Sequence, residues 1–266
     1  MSTLSARSAD GSAPAPLSPG PAPLLARVAR HALFEARILL SNGEQLMVAI
    51  LLPVGVLVGL VLLPIGRIDG VSGIDSAVAA TAATALVSTC FTSQAIQTGF
   101  DRRGGVLRWV ATTPLGRSGY LAGKILATLL VHLVQVLVIG GVALALGWRP
   151  EVLGLLAALP VWLLGTVTFG ALGLLLAGTL RTEAVLALSN IVFVVLVAAG
   201  GIAVPATSYP PLLRAIVELL PSSALGELLR ASLAGTPLVP SALVVLPIWA
   251  IAGVLLVSRS FRWTSS

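Results

Sequence analysis

Charge is what this sequence has least of. Asp, Glu, Lys and Arg make up 10% of the 266 residues, against about a quarter in soluble domains, while 57% are hydrophobic. So little charge excludes a water-soluble globule. The mean hydropathy of +1.03 excludes a disordered chain as well, because disorder requires low hydrophobicity. Cysteine is nearly missing: Cys90 stands alone and has no intramolecular disulfide partner. The two histidines, His31 and His132, are too few and too far apart for a metal site, and neither His-Glu-x-x-His nor Gly-x-Ser-x-Gly occurs. No catalytic constellation is expected. Lysine occurs once, at Lys124, and the +6 net charge comes without the basic, aromatic-interleaved tract that tracks a phosphate backbone. Nucleic acid is therefore not an expected partner. These absences leave a membrane protein.

An ionised side chain at the bilayer centre costs about 2.5 to 3.5 kcal/mol on insertion scales, so membrane spans should show up as charge-free runs. Six such runs stand out, at 45–66, 76–100, 125–148, 152–180, 184–213 and 231–258. Each exceeds the roughly 20 residues that cross a hydrocarbon core as a helix. A closed barrel would instead show segments of about 10 residues alternating apolar and polar, whereas the run from Ile125 to Ile139 is apolar on nearly every face. Pro53, Pro160 and Pro247 inside the runs are compatible with kinked membrane helices. The expected fold is all-α: six transmembrane helices over 24–266, preceded by a disordered cytoplasmic tail over 1–23.

Orientation follows from the loops. With both termini cytoplasmic, twelve basic residues lie inside and four (Arg67, Arg149, Arg214, Arg230) outside, while the acids divide five and five. That split obeys the positive-inside rule. Placed at 100° per residue, Arg27, Arg30, His31, Glu35 and Arg37 fall within an arc of about 160°, with Phe34 and Ile38 intruding. The segment 24–40 is thus expected to be a helix in the cytoplasmic interface, with a plain cytosolic helix as the alternative. The outer loop at 67–75 carries turn signals and is short. Over 205–240, Pro221 separates two amphipathic stretches, the first with Arg214 and Glu218 four apart and the second with Glu227 and Arg230 three apart. They are expected to form two short helices at the outer interface, between the fifth and sixth spans.

Carboxylates are missing from the runs, which argues against a carrier driven by protons or sodium through intramembrane Asp or Glu. The segment Ser118-Gly-Tyr-Leu-Ala-Gly-Lys124-Ile125 looks like a phosphate-binding loop but lacks its first glycine and the Ser/Thr after lysine. No ATP site is expected there. The cytoplasmic segment 99–124 is the most basic, with five Lys/Arg against one Asp. Its middle, 106–113, follows Gly104-Gly105 and stops at Pro114, and reads as a short helix presenting Leu107, Trp109 and Val110 to a cytosolic surface. The alternative is that its basic residues only set orientation and meet anionic lipid. In the second and third runs Thr84, Ser88, Thr92, His132 and Gln135 are candidate pathway-lining residues, with helix-to-helix hydrogen bonding as the competing reading.

At this loop the sequence resembles the membrane subunits of type-2 ATP-binding-cassette exporters, particularly the drug-exporter (daunorubicin-resistance-like) permeases. The matching residues are Asp101-Arg102-Arg103, Gly105-Val106-Leu107, Thr113-Pro114-Leu115-Gly116-Arg117 and Gly123-Lys124, with Pro211-Leu-Leu-Arg-Ala-Ile216 and Leu220-Pro221 before the last run. Phe100-Asp101 and Gly105-Val106 depart from the family's usual Glu-Arg and Gly-Thr. The resemblance implies a permease subunit that is not itself an enzyme, working beside a second copy or a homologous permease in the lipid bilayer. It implies no cofactor on this chain, with ATP and Mg on a separate cytosolic ATPase subunit. The loop would then be the coupling helix, its partner-coupling residues being Arg102, Arg103, Gly105, Leu107, Arg108, Trp109, Pro114 and Arg117. The expected location is a bacterial inner membrane and the expected cargo a drug or lipid. A secondary carrier or channel without an ATPase is the competing class, and an intramembrane enzyme a third.

Overall fold

Four of the charge-free runs fold as helices long and apolar enough to cross a membrane: Gly73–Arg103, Gly116–Ala145, Val152–Thr179 and Pro240–Ser260. They are found in a computed structural model that describes residues 22–41, 43–63 and 72–262, where every regular element is helical. The tail expected over 1–23 lies almost wholly outside the described residues, as do the end of the first run and most of the loop at 67–75. Before these four helices come α1 (Leu24–Ser41) and α2 (Gly43–Leu62). The first long helix comprises α3 (Gly73–Val87), a π-helical segment (Ser88–Ser93) and α4 (Gln94–Arg103). After a six-residue helix, α5 (Val106–Ala111), come α6 (Gly116–Ala145), α7 (Val152–Thr179), α8 (Thr182–Ala198), α9 (Pro211–Val217), α10 (Pro221–Leu233) and α11 (Pro240–Ser260). The first and fifth runs contribute shorter apolar helices, Ile50–Leu62 and α8.

The helix of α3 and α4 is the axis of the fold. In its most apolar stretch 78% of residues are buried, against 28–33% in the other three long helices. Its Ala, Ser and Thr content explains this position, because small side chains let α2, α6, α7 and α10 approach closely. At the π-helical segment Gly173 of α7 rests on the backbone: a Cβ there would lie 2.6 Å from the Phe91 carbonyl oxygen. A backbone oxygen cannot rotate away. Gly173→Ala is therefore expected to destabilise by about 1 to 3 kcal/mol, read as a lower Tm of the purified chain; an unchanged Tm would mean that α7 does not seat here.

The second half of the chain departs from the sequence expectation in two places. The run 184–213 is not one helix: α8 stops at Ala198, where Ala199-Gly200-Gly201 turns the chain with Gly201 at φ +85°. Likewise residues 231–233 complete α10, and the last long helix starts at Pro240. Hydropathy runs straight through both breaks because glycine and proline are apolar enough not to interrupt it. Of the two short helices expected at the outer surface, α9 is exposed, whereas α10 is buried from Pro221 to Arg230 among α3, α7 and α11. Its Leu225 and Leu228 join Leu86, Phe169 and Leu246 in the main core. Arg230 is therefore not an exposed loop charge. It is 2% exposed, and it donates to the Gly201 and Ile202 carbonyls at 2.8 and 2.9 Å and to Glu227 at 2.9 Å. Those carbonyls belong to the broken end of α8, so the buried guanidinium satisfies backbone that the break exposes.

Candidate functional site: the α4–α5 loop and its polar anchor

Short-range signals shape the loop. Gly105 enters α5 at φ +77°, and Gly116 leaves the following turn at φ +68°, both left-handed positions that favour glycine. Thr112 and Thr113 close the end of α5 by donating to the Trp109 and Val110 carbonyls at 2.7 Å. Leu107 and Val110, three apart, face inward onto Tyr120, with Leu115, Leu121 and Phe261 around them. The expectation that Leu107, Trp109 and Val110 all face a partner is thus corrected. A helix of under two turns resting on the body buries one side, and what remains outward is Val106, Arg108 and Trp109, the last 69% exposed. Arg102 is buried and donates to the Leu180 carbonyl, and Arg103 pairs with Glu183 at 2.7 Å, so both bind the α7–α8 junction. Pro114 and Arg117 lie exposed beyond α5.

Beneath α5 lies a cluster of charged groups drawn from three helices. The Lys124 ammonium of α6, 3% exposed, sits 2.7 Å from Glu35 of α1 and 2.7 Å from Asp101 of α4. Tyr120 donates to Asp101 at 2.8 Å, and its ring lies 5.4 Å from that of His31. The helices meet this closely because Gly123 has no side chain: a Cβ there would come within 2.4 Å of the His31 ring. Burial lowers the His31 pKa below its usual 6.5; Glu35 and Asp101 oppose that and Lys124 reinforces it, so the ring is neutral at pH 7. Tyr120 faces both ways, holding the polar cluster with its hydroxyl and the underside of α5 with its ring. Through Tyr120, α5 rests on the cluster in which α1, α4 and α6 meet.

Residues 39–234 match the family model described as ABC-2 type transporter, well over half of the chain. The chain belongs to the ABC-2 type transporter family. None of the curated proteins matches it. Family and long apolar helices together make it a multi-pass membrane protein and a permease component of an ABC transporter. The match takes in the loop, α6 and α10, and leaves out the His31 and Glu35 side of the anchor.

Farther along this ABC-2 chain, four of the five candidate pathway residues are buried and Ser88 is half-buried. Thr84 donates to the Ala80 carbonyl of its own helix at 2.8 Å, and Ser88 begins the π-helical segment. Thr92 is buried, with a hydroxyl that has no partner among the described residues. His132 and Gln135 do come together, Nδ1 to Oε1 at 2.8 Å, and Thr89 donates to the same Gln135 oxygen at 2.7 Å. Among the described residues no three His, Cys, Asp or Glu gather as a metal site requires.

The sequence places Lys124 in a motif and His31 and Glu35 on the polar arc of an interfacial helix, and does not reveal the cluster they form. In the structure α1 turns His31 and Glu35 inward and exposes Leu33, Phe34 and Ile38. One signal was available. The only lysine stands at the head of an apolar run, and a cation there needs a carboxylate partner.

Proposed function

We propose that this chain is the membrane-spanning subunit of an ABC exporter, paired with a second copy or a homologous permease around the substrate pathway. A separate cytosolic ATPase subunit, carrying ATP and Mg, docks on α5. The four long helices with α2 and α8 make six spans, both termini lie in the cytoplasm, and the membrane is the bacterial inner membrane, with a drug or lipid as cargo. In this topology α10 dips into the outer half of the protein between the fifth and sixth spans, and α1 lies in the cytoplasmic interface with its exposed Leu33, Phe34 and Ile38 in lipid.

One observation carries the coupling role: α5 presents Trp109, 69% exposed, from a helix whose other side is fastened to the polar anchor. An exposed tryptophan on a stiff mount is the kind of side chain that dominates a docking interface. ATP binding biases the membrane part only through a difference in how the ATPase binds its two states, and a rigid lever transmits that difference. When the ATPase subunits close, α5 is pushed, Tyr120 carries the push to α6, and Lys124 carries it to α1. Trp109→Ala should weaken ATPase binding by about 2 kcal/mol, or about 30-fold, with the Tm of the isolated chain unchanged. Arg108→Glu should act in the same direction. Normal co-purification with the ATPase and normal ATP-dependent transport in both variants would exclude α5 as the docking element.

A further inference from the structure

We propose that His31 is a proton-operated release between α1 and α6: its imidazole lets the two helices pack while it is neutral and loosens them when it is charged. The ring sits where the helices approach most closely. It lies against Gly123, where an added Cβ would come within 2.4 Å of it, and its centroid is 5.4 Å from that of Tyr120. Its side chain is 14% exposed, so little water reaches it. Nε2 has no hydrogen-bond partner among the described residues. Glu35 Oε1 lies 3.9 Å from it, beyond hydrogen-bond reach.

A charged ring in this place needs a counter-ion, and the carboxylates around it are already engaged. Glu35, four residues on along α1, holds Lys124 of α6 at 2.7 Å through its other oxygen. Asp101 of α4 holds Lys124 at 2.7 Å and accepts from the Tyr120 hydroxyl at 2.8 Å. Arg27, one turn earlier on the same face of α1, adds another cation to that side. Packed on α1 as well, α2 brings Glu44 as its one titratable residue, beyond the end of α1 and therefore more than about 15 Å of helix from His31. An imidazolium must take a carboxylate from Lys124 or leave for water. The ring is the nearer of the two cations to water, at 14% exposed against 3%, so the ring yields and α1 moves with it.

The sign of the pH dependence follows. Burial holds the His31 pKa below 6.5 in the packed state, Glu35 and Asp101 opposing and Lys124 reinforcing, whereas a ring released to water returns to about 6.5. Between those two values the released state binds more protons. Packing of α1 is therefore intact above pH 6.5 and weakens as pH falls below it, by up to about tenfold in the packed-to-released ratio per pH unit.

The test reads α1 in the full chain in lipid nanodiscs without ATP or ATPase, so that its failure leaves the coupling proposal untouched. Amide hydrogen exchange is compared at pH 7.5 and pH 5.5 as protection factors, which removes the intrinsic effect of pH on exchange. Protection over Leu24–Ser41 should fall several-fold in the wild type, and by no more than about 10-fold, the limit for one pH unit below 6.5. His31→Gln never becomes charged, and His31→Phe keeps a ring against Gly123 and Tyr120. In both, α1 protection should be the same at the two pH values, whatever its absolute level. His132 and the carboxylates are present in all three chains, so the difference between them isolates His31. Parallel pH responses in the wild type and the variants overturn the release. Protection of α1 that rises in acid overturns it too, since Glu35 would then be capturing the charged ring. Loss that appears equally in α7 and α11 also overturns it, as general acid unfolding.

Discussion

Replacing Lys124 with methionine is expected to lower the stability of the folded chain by about 3 kcal/mol and to abolish ATP-dependent transport. The reason is the asymmetry of buried ion pairs. While the ammonium is present, two carboxylates at 2.7 Å share one cation, and the Lys124 side chain is 3% exposed. When it is removed, Glu35 and Asp101 face each other around an apolar methionine, and neither retains a cation. Their side chains are 15% and 26% exposed, so water recovers part of the loss, which places the effect at the lower end of the range for breaking such a pair. The triple variant Lys124→Met, Glu35→Gln, Asp101→Asn removes every charge together and should regain most of the stability. It should not regain transport if the cluster links α5 to α1. Thermal unfolding of the detergent-solubilised chain reads the first effect and vesicle uptake the second; a single variant that melts like wild type would mean that the cluster holds nothing together.

Arg230→Met carries the larger structural penalty, about 4 kcal/mol. Here both partners are buried, the Arg230 side chain at 3% and the Glu227 side chain at 11% exposed. The guanidinium spends three donor contacts on Gly201, Ile202 and Glu227, and Glu227 in turn accepts the Ala206 amide at 3.2 Å. Its loss leaves the Glu227 carboxylate with the Ala206 amide alone and takes the side-chain donor from two carbonyls. Lysine in its place keeps the charge but not the planar fork, so Arg230→Lys should cost less than methionine and still be measurable. Hydrogen exchange should locate the damage: amides over 199–206 should lose protection first, before those of α3. Equal protection in Arg230→Met and wild type would show that the chain reversal after α8 is held by something else.

Neither arginine nor lysine in these clusters was placed correctly by counting charges. Arg230 enters the loop count as one of four outer basic residues and in the folded chain is a core group. Lys124 enters as an orientation signal and closes a three-helix junction. By contrast, α7 follows its run to within one residue at each end and α6 ends within three residues of its own, because long stretches of Leu, Val and Ala leave no alternative to an apolar helix. The α5 turn was also legible, through Gly104-Gly105 before it and Pro114 after it. Which side of α5 faces out was not, since Leu107, Trp109 and Val110 are all apolar and only the position of Tyr120 separates them.

From residue order alone came the membrane class, the helical fold and the location of the basic loop. Each depends on a free energy that is summed locally, residue by residue along the chain. The tertiary structure alone decided that Lys124 meets Glu35 across 89 positions, that α10 is core, and that the rings of His132 and Trp162 stack. Hydropathy assigns a buried charge or an orphan donor its cost at its own position. Whether that cost is offset depends on which distant helix arrives beside it, and packing settles that.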